Sequence, residues 1–336
     1  MPRYGFRLYK VNRVRGVQGK PAPFTIEGRS GHYVDELADL VDDLAHQGNL
    51  SGTPALVDAA DGSSPASMWD RQDLLGQAGT PRLRVESSSV SGRRLSVTVE
   101  FGKIGPYPRA LGMNKAEDVT IEAKAPGGSH RVELLLPNDG LVGVMAVESV
   151  NSSAPGPALI QWLGAAGKQR AARPRATGPD WWRLRATQIK DWHRFHEMVT
   201  AGTATEIVLT RRGTSPSSRP YVSNLRVRAA VNVRPDESRL GAWIARVLEG
   251  APSDRAAILD ELSHLAGEDV GSIQFTDGWI AVETSAGTTR IGPSRIDDVF
   301  IYPTGDTRPN IEHWITEVRA AILEVVPQVG AAELRW

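Results

Sequence analysis

The segment between residues 165 and 234 carries the side chains with the clearest potential for chemistry in this sequence. It contains fourteen Lys and Arg residues against four Asp and Glu residues, whereas the whole chain has a formal net charge of zero. Trp181, Trp182 and Trp192 lie among these cations. Cationic side chains neutralise phosphates, and flat aromatic faces stack on bases. The segment therefore predicts a protein that binds DNA or RNA.

Two kinds of contact are expected from this segment. Its arginines would bind phosphates, helped by Arg7, Arg13 and Arg15 near the N-terminus. One of two adjacent tryptophans would stack on a base, because neighbouring residues in a strand point to opposite sides. The predicted nucleic-acid-binding residues are Arg170, Arg173, Arg175, Trp181, Trp182, Arg183, Arg185, Arg211, Arg212, Arg219, Arg226 and Arg228. Interleaved Arg and Trp are equally typical of cation–π packing within a fold or of a protein interface, and these interpretations stay open.

Glu122 and Lys124 have the Glu-x-Lys spacing of restriction-type nucleases. Such a site needs two carboxylates that hold a divalent metal ion and a lysine beside the attacking water. Strand alternation would place both side chains on one face, but no Pro-Asp pair precedes them, and Asp118 lies too close on the same predicted strand to be the other ligand. A half-exposed strand shows the same pattern. A metal-dependent nuclease is therefore an alternative hypothesis.

The other reactive residues predict neither catalysis nor a cofactor. His193, His196 and Glu197 follow a His-x-x-His-Glu order that matches none of the zinc peptidase motifs, and a third ligand is not evident. The sequence contains no phosphate-binding loop, no dinucleotide-binding fingerprint and no Gly-x-Ser-x-Gly. We therefore expect no catalytic residue, no metal site and no cofactor.

Composition limits the class of protein further. The chain has 40% apolar and 23% charged residues, which is typical of a soluble globular protein. It has no cysteine, which removes disulfides and thiolate metal sites and suits a reducing cytoplasm. No apolar run is long enough for a membrane span, and the N-terminus lacks the apolar core of a secretory signal. We therefore expect a cytoplasmic protein without a membrane partner.

Strands and helices alternate along the chain and must position the basic segment. Period-two patterns predict a strand near residues 6–14 and hairpins near 83–99 and 119–134. A pattern of period 3.6 predicts a helix over 32–46 and a terminal helix that Pro327 ends. Because antiparallel strands and helices occur in both halves, the predicted class is α+β.

The basic, Pro- and Gly-bearing stretch at 168–180 lacks apolar periodicity, which is typical of a linker or long loop. We therefore expect an N-terminal α+β domain over 1–167 and a C-terminal α+β domain over 181–336. Each predicted domain combines a mainly antiparallel sheet with helices packed on it.

These observations give one functional hypothesis and two alternatives. The first is a non-catalytic nucleic-acid-binding protein. The arginine-rich outline also suggests an accessory component of a bacterial defence or mobile-element system. The alternatives are the metal-dependent nuclease and a subunit whose basic and acidic blocks fit a partner protein from the same operon.

Overall fold

The computed structural model describes residues 4–16, 19–26, 31–48, 50–51, 80–104, 109–110, 119–120, 127–151, 153–171, 181–191, 193–195, 201–211, 225–233, 239–249, 255–267, 275–284, 287–293, 300–331 and 334. The strands are β1 (Tyr4–Arg15), β2 (Pro21–Ala22), β3 (Leu50–Ser51), β4 (Pro81–Ser91), β5 (Arg94–Lys103), β6 (Arg109–Ala110), β7 (Val119–Thr120), β8 (Gly127–Leu135), β9 (Gly143–Val150), β10 (Trp182–Gln188), β11 (Thr203–Arg211), β12 (Leu225–Val233), β13 (Asp277–Thr284), β14 (Gly287–Ile291) and β15 (Tyr302–Gly305). The helices are α1 (Tyr33–Gln47), α2 (Gly156–Ala171), α3 (Arg239–Glu249), α4 (Arg255–Ala266) and α5 (Ile311–Val329). None of these helices is long and apolar enough to cross a membrane.

The chain forms two compact units, which we call unit 1 (residues 1–189 and 302–336) and unit 2 (residues 190–301). Each unit combines helices with an antiparallel sheet, so the α+β class predicted from the sequence is confirmed. The division differs from the one drawn on the sequence, which assigned everything after residue 180 to a C-terminal domain. Strand β10 and helix α5 belong to unit 1, because β10 pairs with β1 and α5 packs on the same sheet.

Strand β1 pairs with four other strands of unit 1. The main sheet has the order β10-β1-β9-β8-β5-β4-β3, and β2 and β15 also pair with β1. All of these neighbours are antiparallel. Because β1 has partners along both edges and helices over both faces, nearly all of its side chains are shielded from water.

The two faces of this sheet contact different helices. Tyr9 and Val11 of β1 belong to the core beneath α1 and α2, whereas Phe6 and Leu8 belong to the core beneath α5. Trp314 of α5 is fully buried and meets the Phe6 ring edge-on, with 5.4 Å between the ring centroids. The alternation of apolar residues in β1 therefore fills two cores, one on each side of the sheet.

Helix α1 begins at a buried histidine. Nδ1 of His32 accepts a hydrogen bond from the backbone N–H of Val34, and the Asp35 side chain accepts one from the backbone N–H of His32. Nε2 of His32 lies 2.9 Å from the carbonyl oxygen of Pro137, so the neutral ring with its proton on Nε2 satisfies both partners. Burial lowers the pKa of His32 below its ordinary value of 6.5.

Helix α5 continues past the proline that the sequence analysis takes as its end. Pro327 lies in its last turn, and the helix runs to Val329. Gly330 then adopts the left-handed conformation with φ of 69°, and its N–H donates to the carbonyl oxygen of Val326. The buried side chains of Val325 and Val326 hold this turn against the core, which offsets the one backbone hydrogen bond that proline cannot donate.

An ion pair between a buried carboxylate and a partly exposed arginine joins the segment before α5 to the sheet. Glu148 of β9 is 1% exposed, and its carboxylate accepts two hydrogen bonds from Arg308, from Nε at 3.0 Å and from a terminal nitrogen at 2.7 Å. Arg131 of β8 donates from its side chain to the carbonyl oxygen of Pro309. These polar contacts fix residues 308–310 and so position the start of α5.

Unit 2 is a two-layer arrangement of helices on a sheet. Its sheet has the order β12-β11-β13-β14, and all neighbouring strands are antiparallel. Ile207 of β11 and Ile280 of β13 contribute to one core with Trp243 of α3, whose indole N–H donates to the carbonyl oxygen of Ile258 in α4 at 2.7 Å. The opposite face of the sheet carries charged side chains.

Replacement of His32 by Asn should make the stability less dependent on pH between pH 7.5 and 5.5. The pKa of His32 is lowered in the folded state, so the unfolded chain binds more protons, and the stabilising contribution of this group is lost as pH falls below about 6.5. Asn also caps helices but does not titrate. Urea unfolding at several pH values should show that the free energy of unfolding changes less with pH for His32→Asn than for the wild type. An equal dependence on pH in both proteins would contradict the assignment of a neutral ring.

Replacement of Arg308 by Ala should reduce the free energy of unfolding by roughly 3 kcal/mol, because it strands the charged carboxylate of Glu148 in the core. Adding Glu148→Gln to this variant should recover part of the loss, since the amide needs no counter-charge. Chemical denaturation of the two variants tests this expectation. A further loss in the double variant, equal to that of Glu148→Gln alone, would show that the two residues act independently.

Candidate nucleic-acid interface

Trp182, one of the two predicted base-stacking residues, is half-buried and packs against the core of unit 1. The guanidinium carbon of Arg13 lies 3.9 Å from the centroid of the Trp182 ring and 5.0 Å from that of Tyr33. Arg13 is 5% exposed and donates from one terminal nitrogen to the carbonyl oxygens of Pro23, at 2.7 Å, and Thr25, at 3.1 Å. This arrangement is the cation–π packing that the sequence left open, and it makes Arg13 a structural residue.

Two further predicted phosphate ligands contact other parts of unit 1. Arg170, in the last turn of α2, lies 3.3 Å from a carboxylate oxygen of Asp39 and 3.7 Å from one of Asp43 on α1. Arg183 donates from Nε to the carbonyl oxygen of Gly16 at 2.8 Å. Arg7 is 9% exposed. Arg170 therefore pairs with the acidic face of α1, and Arg183 donates to the backbone, although the sequence predicted both as phosphate ligands.

Strand β10 nevertheless contributes an exposed cation. Arg185 lies opposite Asn12 of β1 and is exposed, with a contact of 3.4 Å to the carbonyl oxygen of Gly19. Lys10 lies two positions from Asn12 along β1, and Arg183 lies two positions from Arg185 along β10, so both are on the same face of the sheet as Arg185. We call Lys10, Arg183 and Arg185 the basic strip of unit 1. Trp181 is half-buried, with Nζ of Lys168 5.9 Å from the centroid of its ring.

In unit 2 the predicted arginines lie on the hairpin of β11 and β12. Arg226 and Arg228 alternate onto the same face of β12, which is an edge strand of the sheet, and both are exposed. Arg211 is exposed at the end of β11, opposite Leu225. Arg228 lies 3.3 Å from a carboxylate oxygen of Glu206. We call Arg211, Arg226 and Arg228 the hairpin arginines.

A second arginine–tryptophan cluster lies on this face, and the sequence analysis did not find it. The guanidinium carbons of Arg226 and Arg290 lie 5.4 Å and 5.9 Å from the centroid of the Trp279 ring. Trp279 is 6% exposed, whereas both arginines are exposed. Trp279 and Arg290 belong to β13 and β14, which are far from the basic segment in sequence, so only the strand pairing shows that they join it.

The remaining predicted residues lie outside the part of the chain that the structure describes. Among the phosphate ligands these are Arg173, Arg175, Arg212 and Arg219, and among the alternatives they are Glu122, Lys124, Trp192, His196 and Glu197. His193 is described and exposed. Within the described ranges, no three or more His, Cys, Asp or Glu side chains are grouped so that they could hold a metal ion.

Comparison with known proteins adds no assignment, because no family model, no curated protein and no solved structure matches this chain. The case for any function therefore depends on the side chains themselves. Exposure divides the predicted cations into two groups. Arg13 is buried and Arg170 is ion-paired with α1, whereas the hairpin arginines are exposed on unit 2.

Replacement of Trp182 by Leu should reduce the free energy of unfolding by about 2 kcal/mol, because it removes the aromatic face that supports the buried charge of Arg13. The folded variant should bind an oligonucleotide as tightly as the wild type. Urea denaturation and fluorescence anisotropy measure the two quantities. A folded Trp182→Leu protein with weaker oligonucleotide affinity would restore Trp182 as a ligand-binding residue.

Proposed function

We propose that this protein binds nucleic acid without catalysing a reaction on it, and that the hairpin arginines of unit 2 contact the phosphate backbone. The observation that carries the proposal is the placement of Arg226 and Arg228 on one exposed face of an edge strand. Residues two apart in a strand are separated by about 7 Å, a distance on the scale of neighbouring phosphates. Arg211 adds a third exposed cation at the end of the same hairpin.

The charge balance of the hairpin supports this proposal. Residues 203–233 contain five arginines and a single acidic residue, Glu206. The ion pair between Arg228 and Glu206 involves side chains that are 57% and 32% exposed. An ion pair with such exposure contributes about 1 kcal/mol or less, so a phosphate can compete for the guanidinium. Arg212 and Arg219 stand in sequence between the two strands and would add to the same positive field.

The basic strip of unit 1 is a secondary contact in this proposal. Its residues are cross-strand neighbours on one sheet face, but Arg183 already donates to a backbone carbonyl. We therefore assign it a smaller share of the affinity than the hairpin arginines.

The biological setting is part of the proposal as well. We infer a cytoplasmic setting from the cysteine-free composition, and we propose, from the general outline of the chain, an accessory role in a bacterial defence or mobile-element system. Both DNA and RNA carry the phosphate backbone that these arginines recognise, so the binding experiment includes one oligonucleotide of each kind.

The double variant Arg226→Ala/Arg228→Ala should bind a fluorescent oligonucleotide at least about ten-fold more weakly than the wild type at low salt. The plot of log affinity against log salt concentration should lose about one to two units of slope, because each lost phosphate contact removes a counterion-release contribution of nearly one. Fluorescence anisotropy over a series of salt concentrations provides both quantities.

The matched control is Arg239→Ala/Arg319→Ala, which removes the same charge from exposed positions on α3 and α5. It should retain the slope of the wild type. The proposal fails if the wild type shows no salt-dependent binding, or if the control variant loses as much affinity and slope as the hairpin variant.

A further inference from the structure

The outer face of the unit 2 sheet presents two cations on a single indole. Trp279 lies on β13, Arg226 on β12 and Arg290 on β14, so the three residues reach across all four strands of the sheet order β12-β11-β13-β14. Strands are spaced about 4.8 Å apart, which makes this row about 14 Å wide. Arg226 lies opposite Thr210, which pairs with Asp277, whereas Arg290 lies opposite Ala281. The two arginines are therefore offset by four residues along β13, and the row crosses the strands diagonally.

Burial of the indole determines what this row can bind. Trp279 is 6% exposed, so its ring cannot serve as a stacking platform for a base. The groups that face solvent are the two guanidiniums, because Arg226 and Arg290 are exposed. Guanidinium presents its N–H donors in the plane of the group and suits phosphate oxygens. The chemistry that this row offers to a ligand is therefore that of phosphate binding.

The cluster at Trp182 shows the contrasting case. There the cation is buried and donates from one terminal nitrogen to two backbone carbonyls of the protein. At Trp279, no carboxylate in the described part of the chain forms an ion pair with Arg226 or Arg290. Two acids on the neighbouring strands pair with other arginines, Glu206 with Arg228 and Asp277 with Arg255. Two exposed like charges held on one ring repel each other, and an anion relieves that repulsion.

We propose that Trp279 is a positioning residue that holds Arg226 and Arg290 on the outer face of the sheet, where they bind phosphates of a nucleic-acid backbone that crosses the strands from β12 to β14. This inference rests on the proposed function, and it adds Arg290 as a phosphate ligand and a direction for the bound strand. Trp279 acts through the two arginines and does not contact the ligand.

Arg290→Ala should weaken binding of a single-stranded oligonucleotide about three- to ten-fold and reduce the salt slope by about one, the contribution of one phosphate contact. Arg239→Ala, with the same change of charge in the same unit, should leave both quantities unchanged. Arg290→Lys keeps the charge but not the planar fork, and should fall between the wild type and Arg290→Ala. Inorganic phosphate serves as a competitor and should displace the oligonucleotide poorly, since the row spans more than one phosphate.

Trp279→Leu should weaken binding by a similar factor. Trp279→Phe should keep most of the wild-type affinity, because the phenyl ring retains a cation–π face. In the Arg226→Ala/Arg290→Ala background, Trp279→Leu should have no further effect on affinity. A thermal unfolding curve for each variant confirms that it is folded.

Three results would overturn the inference. The first is an Arg290→Ala protein that binds as tightly as the wild type. The second is a loss of affinity from Trp279→Leu that is as large in the Arg226→Ala/Arg290→Ala background as in the wild type, and the third is efficient displacement of the oligonucleotide by inorganic phosphate at concentrations that do not otherwise screen charge. In each of these cases the salt-dependent binding lost in Arg226→Ala/Arg228→Ala would still support the proposed function. Absence of binding by the wild type would end both proposals.

Discussion

The stacking of arginine on tryptophan is the interaction on which the account of both units depends. A guanidinium can leave water only if its N–H groups find acceptors, because an unpaired buried charge is very costly. At Trp182 two aromatic rings surround Arg13, and two carbonyl oxygens accept hydrogen bonds from one of its terminal nitrogens. At Trp279 the ring is buried but the cations are not, and their donors remain directed to solvent. The same pair of residue types therefore packs into the fold in unit 1 and holds exposed cations in unit 2.

This distinction changes which arginines of the basic segment we propose as phosphate ligands, from those near β10 to those on the sheet of unit 2. The density of arginines is highest before and within β10, but there Arg170 is ion-paired with α1 and Arg183 donates to a backbone carbonyl. The sheet of unit 2 carries Arg226 and Arg228 on one face of an edge strand, and both side chains are exposed. Exposure, rather than local density, decides which arginines are available to a polyanion.

The local elements could be predicted from the sequence, but their environment could not. Period-two alternation identifies β1, and the apolar spacing identifies α1. Neither pattern shows that β1 has helices over both faces. For this reason the sequence predicts Arg13 as a phosphate ligand, whereas in the structure it is buried. Trp279 and Arg290 were missed for a related reason. Their proximity to Arg226 results from the pairing of β11 with β13, which joins residues about seventy positions apart and leaves no periodic signal.

Arginine-specific chemical labelling followed by mass spectrometry tests the central claim most directly, because it measures the availability of each guanidinium in one sample. With the folded full-length protein, Arg13 should resist a dicarbonyl reagent, while Arg226, Arg228 and Arg290 should react and then become protected when an oligonucleotide is added. Rapid labelling of Arg13 in the folded protein, or equal labelling of Arg226, Arg228 and Arg290 with and without nucleic acid, would contradict the account.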